Sequence, residues 1–582
     1  IRALINDNKT DEIICAGDAD REGEVIVRLI LHFGLKDRSK RITRLWLPDQ
    51  TDKTIVTQLN QRKADSEYNN LYNEGAARMY VDWLLGINLT RDVSSKANSL
   101  LNIGRVICPI VIEIYNRQVA IEHFIPEKYY AVESNVNGLK LSLKDKFALN
   151  ENDKINLICS DLNSNKGIVT DIQTKDVEKQ SPKPFSLSKL QGYCGKKFKL
   201  KPAETLAVVQ SLYEKGYVTY PRTNTEYLSE NEKQTVLHLL EVHDKNNVLL
   251  FKDSKRIFDD SKIESHSALM PTDKIANYDS FSSNEKKVYQ AIFARFNSVF
   301  FKEPCIVTET EATIHVGRQF PNDLKIKGQA VKSKGWMRVY GEDSVDKAIP
   351  LLSINQTLDV DFKPVEKKTQ PPKPYTVESL GNWMVHPFKK VTDTEDDEYK
   401  ALLSGCEIGT EATRSGIIDK AIQTGYISLT DNVYSIEDKG RYMVEFLNKS
   451  NLDLSPQRTV ELQKDLKKVY NSKITVDECV QNAIAFLNQY FENASNKEIP
   501  KSQFKNEPES LGCCPWCNQP VYAFKSAKGL FFTHSKDDRE KCSFALYEKQ
   551  KIFGAEYHFT NKKVEALLAH KLPKIDLVNK SG

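Results

Sequence analysis

Gly17-Asp18-Ala19-Asp20-Arg21-Glu22-Gly23-Glu24 follows directly on the apolar run Ile13-Ile14-Cys15-Ala16 and precedes Val25-Ile26-Val27-Arg28-Leu29-Ile30-Leu31. An apolar strand, an acidic turn and an apolar helix are how an α/β sheet begins. Carboxylates at every second position from 18 to 24, at the end of a strand, are oxygen donors suited to a hard divalent cation such as Mg²⁺, which keeps waters for a phosphate substrate. Acidic residues in a first helical turn also complement the helix dipole. That second reading accounts for one or two of the four carboxylates, and less readily for all of them.

Outward from this stretch, Arg41-Ile42-Thr43-Arg44-Leu45-Trp46 before Pro48 supplies a second strand, and Thr51 to about Tyr115 reads as helical, with candidate loops at Ser94–Asn102 and at Pro109. From about Ala131 to Thr174 apolar and polar residues alternate, which predicts β-hairpins. A second β-rich block runs from about Ile306 to Phe362, with Pro-rich breakers at 181–184 and 371–374. The segment between the two β blocks, about 186–305, reads as an inserted helical domain. Pro202 sits where a first helical residue would, Leu206, Val209 and Tyr213 share one face, and Gly216 is placed to end that helix. Tyr217-Val218-Thr219-Tyr220-Pro221-Arg222-Thr223 then reads as a short strand entering a proline-stiffened turn. Residues 375–500 are predicted helical, and the Asn/Lys-rich stretch near 493–508 reads as a linker.

At 582 residues the chain exceeds what one core supports, so several domains are expected. An apolar fraction of 40% and a charged fraction of 28% describe a folded, water-facing protein, and a net charge of +4 does not by itself point to nucleic acid. There is no apolar run long enough for a membrane span and no secretory pattern at Ile1–Lys9. An intracellular protein is expected. Of the 11 cysteines, Cys15, Cys108, Cys159, Cys194, Cys305, Cys406 and Cys479 are scattered singly, as buried thiols are. Only Cys513, Cys514, Cys517 and Cys542 cluster. The chain starts without Met, in mid-pattern, and reads as a fragment.

Tyr220 and Arg222 flank Pro221, which puts a phenol and a guanidinium on one loop, where the cation can pair with a phosphate oxygen and the phenol can attack phosphorus. A core tyrosine beside a surface arginine is the plainer alternative. Leu212-Tyr213-Glu214-Lys215-Gly216-Tyr217-Val218-Thr219-Tyr220-Pro221-Arg222-Thr223 resembles the active-site segment of type IA DNA topoisomerases, and Gly17–Glu24 resembles the acidic signature of their Toprim domain. Asp82-Trp83-Leu84-Leu85-Gly86-Ile87-Asn88, Gly104-Arg105-Val106, His266-Ser267-Ala268-Leu269-Met270-Pro271-Thr272 and Gly409-Thr410-Glu411-Ala412-Thr413-Arg414 follow in the family's order. The resemblance spans nearly the whole chain and is closest to the topoisomerase III branch.

The resemblance implies a multidomain α/β fold in a toroidal, padlock-like architecture. Its expected parts are a partial Toprim domain at 1–48, a helical base at 49–124 and 373–492, a β arch at 125–185 and 306–372, the inserted helical domain at 186–305 bearing Tyr220, a linker at 493–508 and a zinc-ribbon-like DNA-binding domain at 509–582. Tyr220 is implied to attack single-stranded DNA and form a 5′-phosphotyrosyl bond without ATP, Arg222 to stabilise the phosphate charge, and Asp18, Asp20 and Glu22 to hold Mg²⁺. Glu24 matches a further acidic position. Gly104, Arg105, Val106, His266, Thr413 and Arg414 are implied to contact DNA. Arg78 and Asp82, four apart on a helix, read equally as a DNA contact and as an i, i+4 ion pair. Lys196, Lys197, Lys199 and Lys201 read as a weak DNA patch or a solvated face.

Implied partners are single-stranded and negatively supercoiled DNA and a helicase, with no membrane and a monomeric enzyme. The implied setting is the bacterial cytoplasm at the nucleoid, with a chromosomal or mobile gene left open. The activity implied is relaxation of negative supercoils and decatenation.

Three departures from the family pattern stand out. Asn224-Thr225 replaces the usual Asp-Ser, and Ile107-Cys108 replaces Gln-Thr after Gly-Arg-Val. The family's opening strand, with its glutamate, does not precede Ile5, so poor rejoining is expected of the chain as it stands. In the tail, Cys514, Cys517, His534 and Cys542 are candidate Zn²⁺ ligands. A metal-free ribbon with a core of Phe524, Phe531, Phe532 and Phe544 is the alternative. A Toprim nuclease or primase with a structural Tyr220, and a non-catalytic single-strand binder, are the competing functional readings.

Overall fold

The computed structural model describes residues 1–47, 52–263, 266–341, 349–388, 408–409, 411–493, 510–526, 529–534, 542–552 and 555–569. Cys406, Thr410 and nearly all of the expected linker lie outside them. The chain divides into two compact units, Ile1–Val93 with Leu101–Ile499, and Ser94–Leu100 with Pro500–Gly582. Helices and several separate sheets make the fold mixed α/β, as expected.

In the first unit, strand Glu12–Cys15 runs parallel to Arg41–Arg44, which pairs antiparallel with Lys63–Ala64. Parallel neighbours need a crossover, and helix Arg21–Gly34 provides it. Asp20 caps that helix, accepting the Gly23 N–H at 2.6 Å. Ile13, Cys15, Leu31 and Leu35 close a small core beneath it.

Helices Asn69–Ala97 and Ile107–Glu122 follow. The loop expected at Pro109 is absent. Pro109 stands in the first turn of the second helix, where a missing N–H costs nothing. Between 373 and 492 the expected helices are present, but Ile427–Thr430 and Val433–Ile436 form a hairpin among them. Its two turn residues, Asp431 and Asn432, take φ of 49° and 71°, the conformation a tight hairpin requires.

The arch region contains a sheet of Lys363–Lys368, Lys128–Val136 and Leu139–Phe147, and a second of Asn322–Ser333, Ile306–Val316, Gly167–Glu178 and Thr357–Leu358. Helix Asn152–Asn163, unforeseen in the sequence, buries Ile155, Ile158, Cys159 and Leu162 against both. Strands Gly167–Glu178 and Ile306–Val316 pair along their length, ending at Glu178 opposite Ile306. Residues 179–305 therefore leave and rejoin the sheet at neighbouring strand ends.

That inserted segment is built on helices Leu187–Phe198, Pro202–Glu214, Lys233–His243 and Ser283–Val299. Pro202 opens its helix as expected. Gly216, at φ 76°, closes it, with its own N–H bonded to the Tyr213 carbonyl and the Tyr217 N–H to the Leu212 carbonyl. The strand expected at Tyr217–Thr223 reduces to one bridge, Val218 to Pro271. Pro221 lacks a ladder donor, so the segment is fixed instead by Thr219 N–H on the Met270 carbonyl and the Thr223 hydroxyl on the His266 carbonyl.

Glu285 joins two of these helices, accepting from the Ser211 hydroxyl at 2.8 Å, the Ser282 N–H at 2.8 Å and the Lys215 ammonium. Burial works to raise its pKa, but Lys215, Ser282 and Ser211 outweigh it and hold the carboxyl at about 2. The stabilisation is present above the ordinary value of 4.5 and is lost as pH falls toward 2. Glu285→Gln should cost about 2 kcal/mol and flatten the acid dependence of unfolding in that window, measured by circular dichroism melts.

In the second unit, Ser510–Cys513, Pro520–Ser526, Gly529–Thr533 and Ala545–Tyr547 form an antiparallel sheet, followed by hairpin Lys549–Ile552 with Ala555–His558 and helix Asn561–Leu568. Its core contains Cys514, Val521, Phe532, Phe544, Tyr557, Phe559, Val564 and Leu568. Of the four aromatics that the metal-free alternative puts in a core, Phe532 and Phe544 are there, and Phe524 and Phe531 are not. They pair across strands at 5.5 Å on the opposite face, because strand residues alternate sides.

Candidate active site

Two stretches far apart in sequence meet at Tyr220. Its hydroxyl donates to Asp20 Oδ2 at 2.6 Å and accepts from Arg222 Nη1 at 3.1 Å, and the same Nη1 reaches Asp18 Oδ2 at 2.8 Å. Asp20 thus uses one oxygen to cap its helix and the other to hold the phenol. Burial, then the Asp20 charge, raise the phenol pKa well above its ordinary value, against the pull of Arg222. The hydroxyl keeps its proton at neutral pH. The Tyr220 residue is 1% exposed, and the buried Arg222 Nε–H has no hydrogen-bond partner among the described residues.

His266 lies against both halves. Its Nε2–H donates to the carbonyl of Ala19, between Asp18 and Asp20, and its ring sits 4.5 Å from that of Tyr220. Burial pushes the imidazole down to about 4, so it is neutral. Behind it Trp46 stacks at 5.7 Å, and Tyr68 stacks on Trp46 at 5.5 Å. Neither aromatic was singled out in the sequence.

Glu22 does not join Asp18 and Asp20. Its carboxylate lies 3.4 Å from Arg78 Nη1 and 3.7 Å from Arg21. Among the described residues, the converging group of three or more metal-type ligands lies elsewhere, in the tail. The Asp18 and Glu22 side chains nevertheless remain 45% and 36% exposed, and both are hard oxygen donors. That donor chemistry suits Mg²⁺.

Beyond Glu22, Arg78 also contacts Asp82 at 3.4 Å and the Thr413 hydroxyl at 3.3 Å. The i, i+4 pair left open in the sequence exists, but Asp82 is held more closely by Arg105, at 2.7 and 3.1 Å. Burial and the neighbouring Arg105 and Arg21 lower the Arg78 pKa to about 10. Arg414, also buried, donates to the carbonyls of Ile408 at 3.0 Å and Gly409 at 3.2 Å. Val106 stands at the start of helix Ile107–Glu122. The Gly104 N–H reaches Cys108 Sγ at 3.5 Å, so the thiol at this departure from the family pattern serves as a polar cap.

Glu24 belongs to the scaffold. It is fully buried and pairs with Arg44 at 2.7 Å and Arg28 at 2.8 Å. Arg44, also overlooked, shares a strand face with Ile42. A charge on an apolar face is the signal that could have found it.

In the tail, Cys514 Sγ and Cys542 Sγ lie 4.0 Å apart, and Cys517 Sγ lies 3.5 Å from His534 Nε2. All four ligand atoms fall within 4.8 Å of one another, and the exposed Cys513 is not among them. His534 Nδ1 donates to the Pro520 carbonyl at 3.0 Å, which leaves Nε2 as the ligating atom.

A family described as DNA topoisomerase matches residues 66–481. DNA topoisomerase 3 of Bacillus subtilis (strain 168) is 28% identical over 556 residues, covering 91% of this chain and 74% of that protein. DNA topoisomerase 3 of Bacillus thuringiensis (strain Al Hakam) is 30% identical over 545 residues, covering 89% and 73%. Among solved structures, full-length topoisomerase I from Thermotoga maritima is similar in fold, with a TM-score of 0.64 at 21% identity, covering 90% of this chain and 85% of that one.

Proposed function

We propose a mechanism from the premise that this chain belongs to the DNA topoisomerase family: Tyr220 breaks and reseals one strand of DNA, and a second strand passes through the break. The observation that carries this reading is the meeting of Tyr220, Arg222, Asp18 and Asp20 within hydrogen-bond distance. The phenol oxygen bonds to phosphorus as the P–O3′ bond breaks. The phenol proton passes to Asp20 and is returned to the departing 3′ oxygen, so one proton moves from the nucleophile to the leaving group and the step is proton-neutral. Because one phosphoester replaces another, no ATP is consumed. Arg222 meets the growing phosphate charge, and a phosphate oxygen supplies the partner its buried Nε–H lacks.

Asp18, Asp20 and Glu22 are the residues that would hold Mg²⁺, which when bound positions phosphate and 3′-hydroxyl for rejoining. Gly104, Arg105, Val106, His266, Thr413, Arg414 and Arg78 line the path of the single strand. We take the enzyme to act as a monomer on single-stranded and negatively supercoiled DNA in the bacterial cytoplasm, alongside a helicase. No helix among the described residues is long and apolar enough to cross a membrane.

The test is to incubate the protein with single-stranded oligonucleotide labelled on either side of the break, denature it, and map the attached label. Label joined through a 5′-phosphate to the Tyr220 peptide is expected. Metal-dependent cleavage without an adduct would favour the nuclease reading.

The tail cluster, Cys514, Cys517, His534 and Cys542, is assigned to Zn²⁺ on its closed Cys₃His donor set. Elemental analysis of the full chain should find zinc equimolar with protein, and Cys542→Ser should lose it.

A further inference from the structure

We infer that Arg44 is a positioning residue, acting through the Gly17–Asp20 loop to present Asp18 and Asp20 to Arg222 and Tyr220. This rests on the reading of Tyr220 as the nucleophile. The Arg44 guanidinium is completely buried, and its donors tie the Gly17–Asp18 backbone of the loop to the strand before it, to Leu45 and to Glu24. Nη1 bonds the carbonyls of Cys15 at 3.1 Å, Gly17 at 2.9 Å and Leu45 at 2.7 Å, Nη2 bonds that of Asp18 at 2.7 Å, and Nε bonds Glu24 at 2.7 Å.

Backbone carbonyls drawn inward onto one cation leave the side chain of Asp18 to point the other way, onto Arg222. The helix also comes close to the same Asp18 carbonyl. A Cβ at Gly23 would lie 2.3 Å from the Asp18 carbonyl oxygen, so the loop cannot relax toward its helix. Glu24 supplies the charge that makes a buried guanidinium tolerable, and its second oxygen is steadied by Arg28 Nε at 2.8 Å. Arg44 also lies over the ring of Trp46, 5.1 Å from its centroid, and Trp46 in turn backs His266. One side chain thus braces both the acidic loop and the wall behind the tyrosine.

Only a planar fork with several donors can do this. Lysine offers its donors from a single point and cannot span the carbonyls.

The test uses the full chain with Arg44→Lys, Arg44→Ala and Glu24→Gln, and reads single-turnover adduct formation, oligonucleotide affinity and melting temperature. Arg44→Lys and Arg44→Ala should slow adduct formation by ~100-fold, the scale of a misplacement of about 1 Å, with oligonucleotide affinity unchanged. Glu24→Gln should slow it less. Dilute guanidinium ion should restore Arg44→Ala and leave Arg44→Lys unchanged. A folded Arg44→Lys that forms adduct at the wild-type rate overturns the inference. So does a parallel loss of affinity and melting temperature with no guanidinium rescue, which would make Arg44 a stabilising residue alone. If Arg44→Ala does not fold, Arg44→Lys decides. Tyr220→Phe is run beside them, since adduct surviving in that variant sinks the nucleophile assignment and leaves the role of Arg44 in the fold untouched.

Discussion

Tyr220→Phe removes one oxygen and should abolish the covalent adduct, with DNA relaxation falling by ~10⁵-fold or more, the scale on which a covalent nucleophile is lost. The substitution is close to isosteric. The ring packs edge-on to Tyr213 at 5.4 Å and against His266, and phenylalanine keeps both contacts. What it gives up is the hydroxyl between Asp20 and Arg222. Stability should change little, because Asp20 is only half-buried and keeps its bond from the Gly23 N–H. Oligonucleotide affinity should be retained, so gel-based relaxation and binding assays on one preparation separate chemistry from grip. Relaxation persisting in this variant would exclude the mechanism.

Arg222→Lys is the second. A guanidinium nitrogen here serves the Tyr220 hydroxyl and Asp18 at once, while a separate Nε–H stays unpaired in a buried position. Lysine keeps the charge and loses the fork. The rate of adduct formation should drop by ~10²- to 10³-fold, as when a preorganised donor is removed from a developing anion. Rejoining should slow with it, since the same donors face the same phosphate in reverse. A quenched-flow time course is the measurement, and an unchanged rate would mean that charge alone is required.

Much of this site is legible in the sequence because its chemistry rests on short motifs with little conformational freedom. Gly17–Glu24 and Tyr220-Pro221-Arg222 name the acid cluster, the proposed nucleophile and the cation, and the fold brings Asp18 and Asp20 to Tyr220 and Arg222. What stays hidden depends on partners distant in the chain. Nothing around Glu24 says that it serves Arg44 rather than a cation; that is decided by burial, which a run of charges does not reveal. Glu22 reads as a third ligand by spacing, and its ion pair with Arg78, a residue 56 positions on, is a contact that spacing does not reveal. Tyr217–Thr223 has β-type composition and no ladder, since its hydrogen bonds go to the Leu269–Pro271 and His266 regions. Helix Asn152–Asn163 is obscured by Asn and Asp at its ends, and the Ile427–Ile436 hairpin by its brevity among helices.

The Tyr220 phenol, the proposed nucleophile, is almost wholly covered, so no strand can touch it in the arrangement described. Uncovering it means drawing residues 179–305 away from the acidic loop, and both tethers of that segment emerge side by side, beyond Glu178 and Ile306. Two adjacent tethers act as a pivot. Swinging about them, with Trp336, Met337 and Tyr340 carried along in the segment's core, would break side-chain contacts such as Gln191 to Ser415, Lys189 to Asn382 and Tyr220 to Asp20 but, among the described residues, no strand pairing. Under the proposed mechanism the broken end, joined to Tyr220, would be carried with the moving piece and returned to the same carboxylates for sealing.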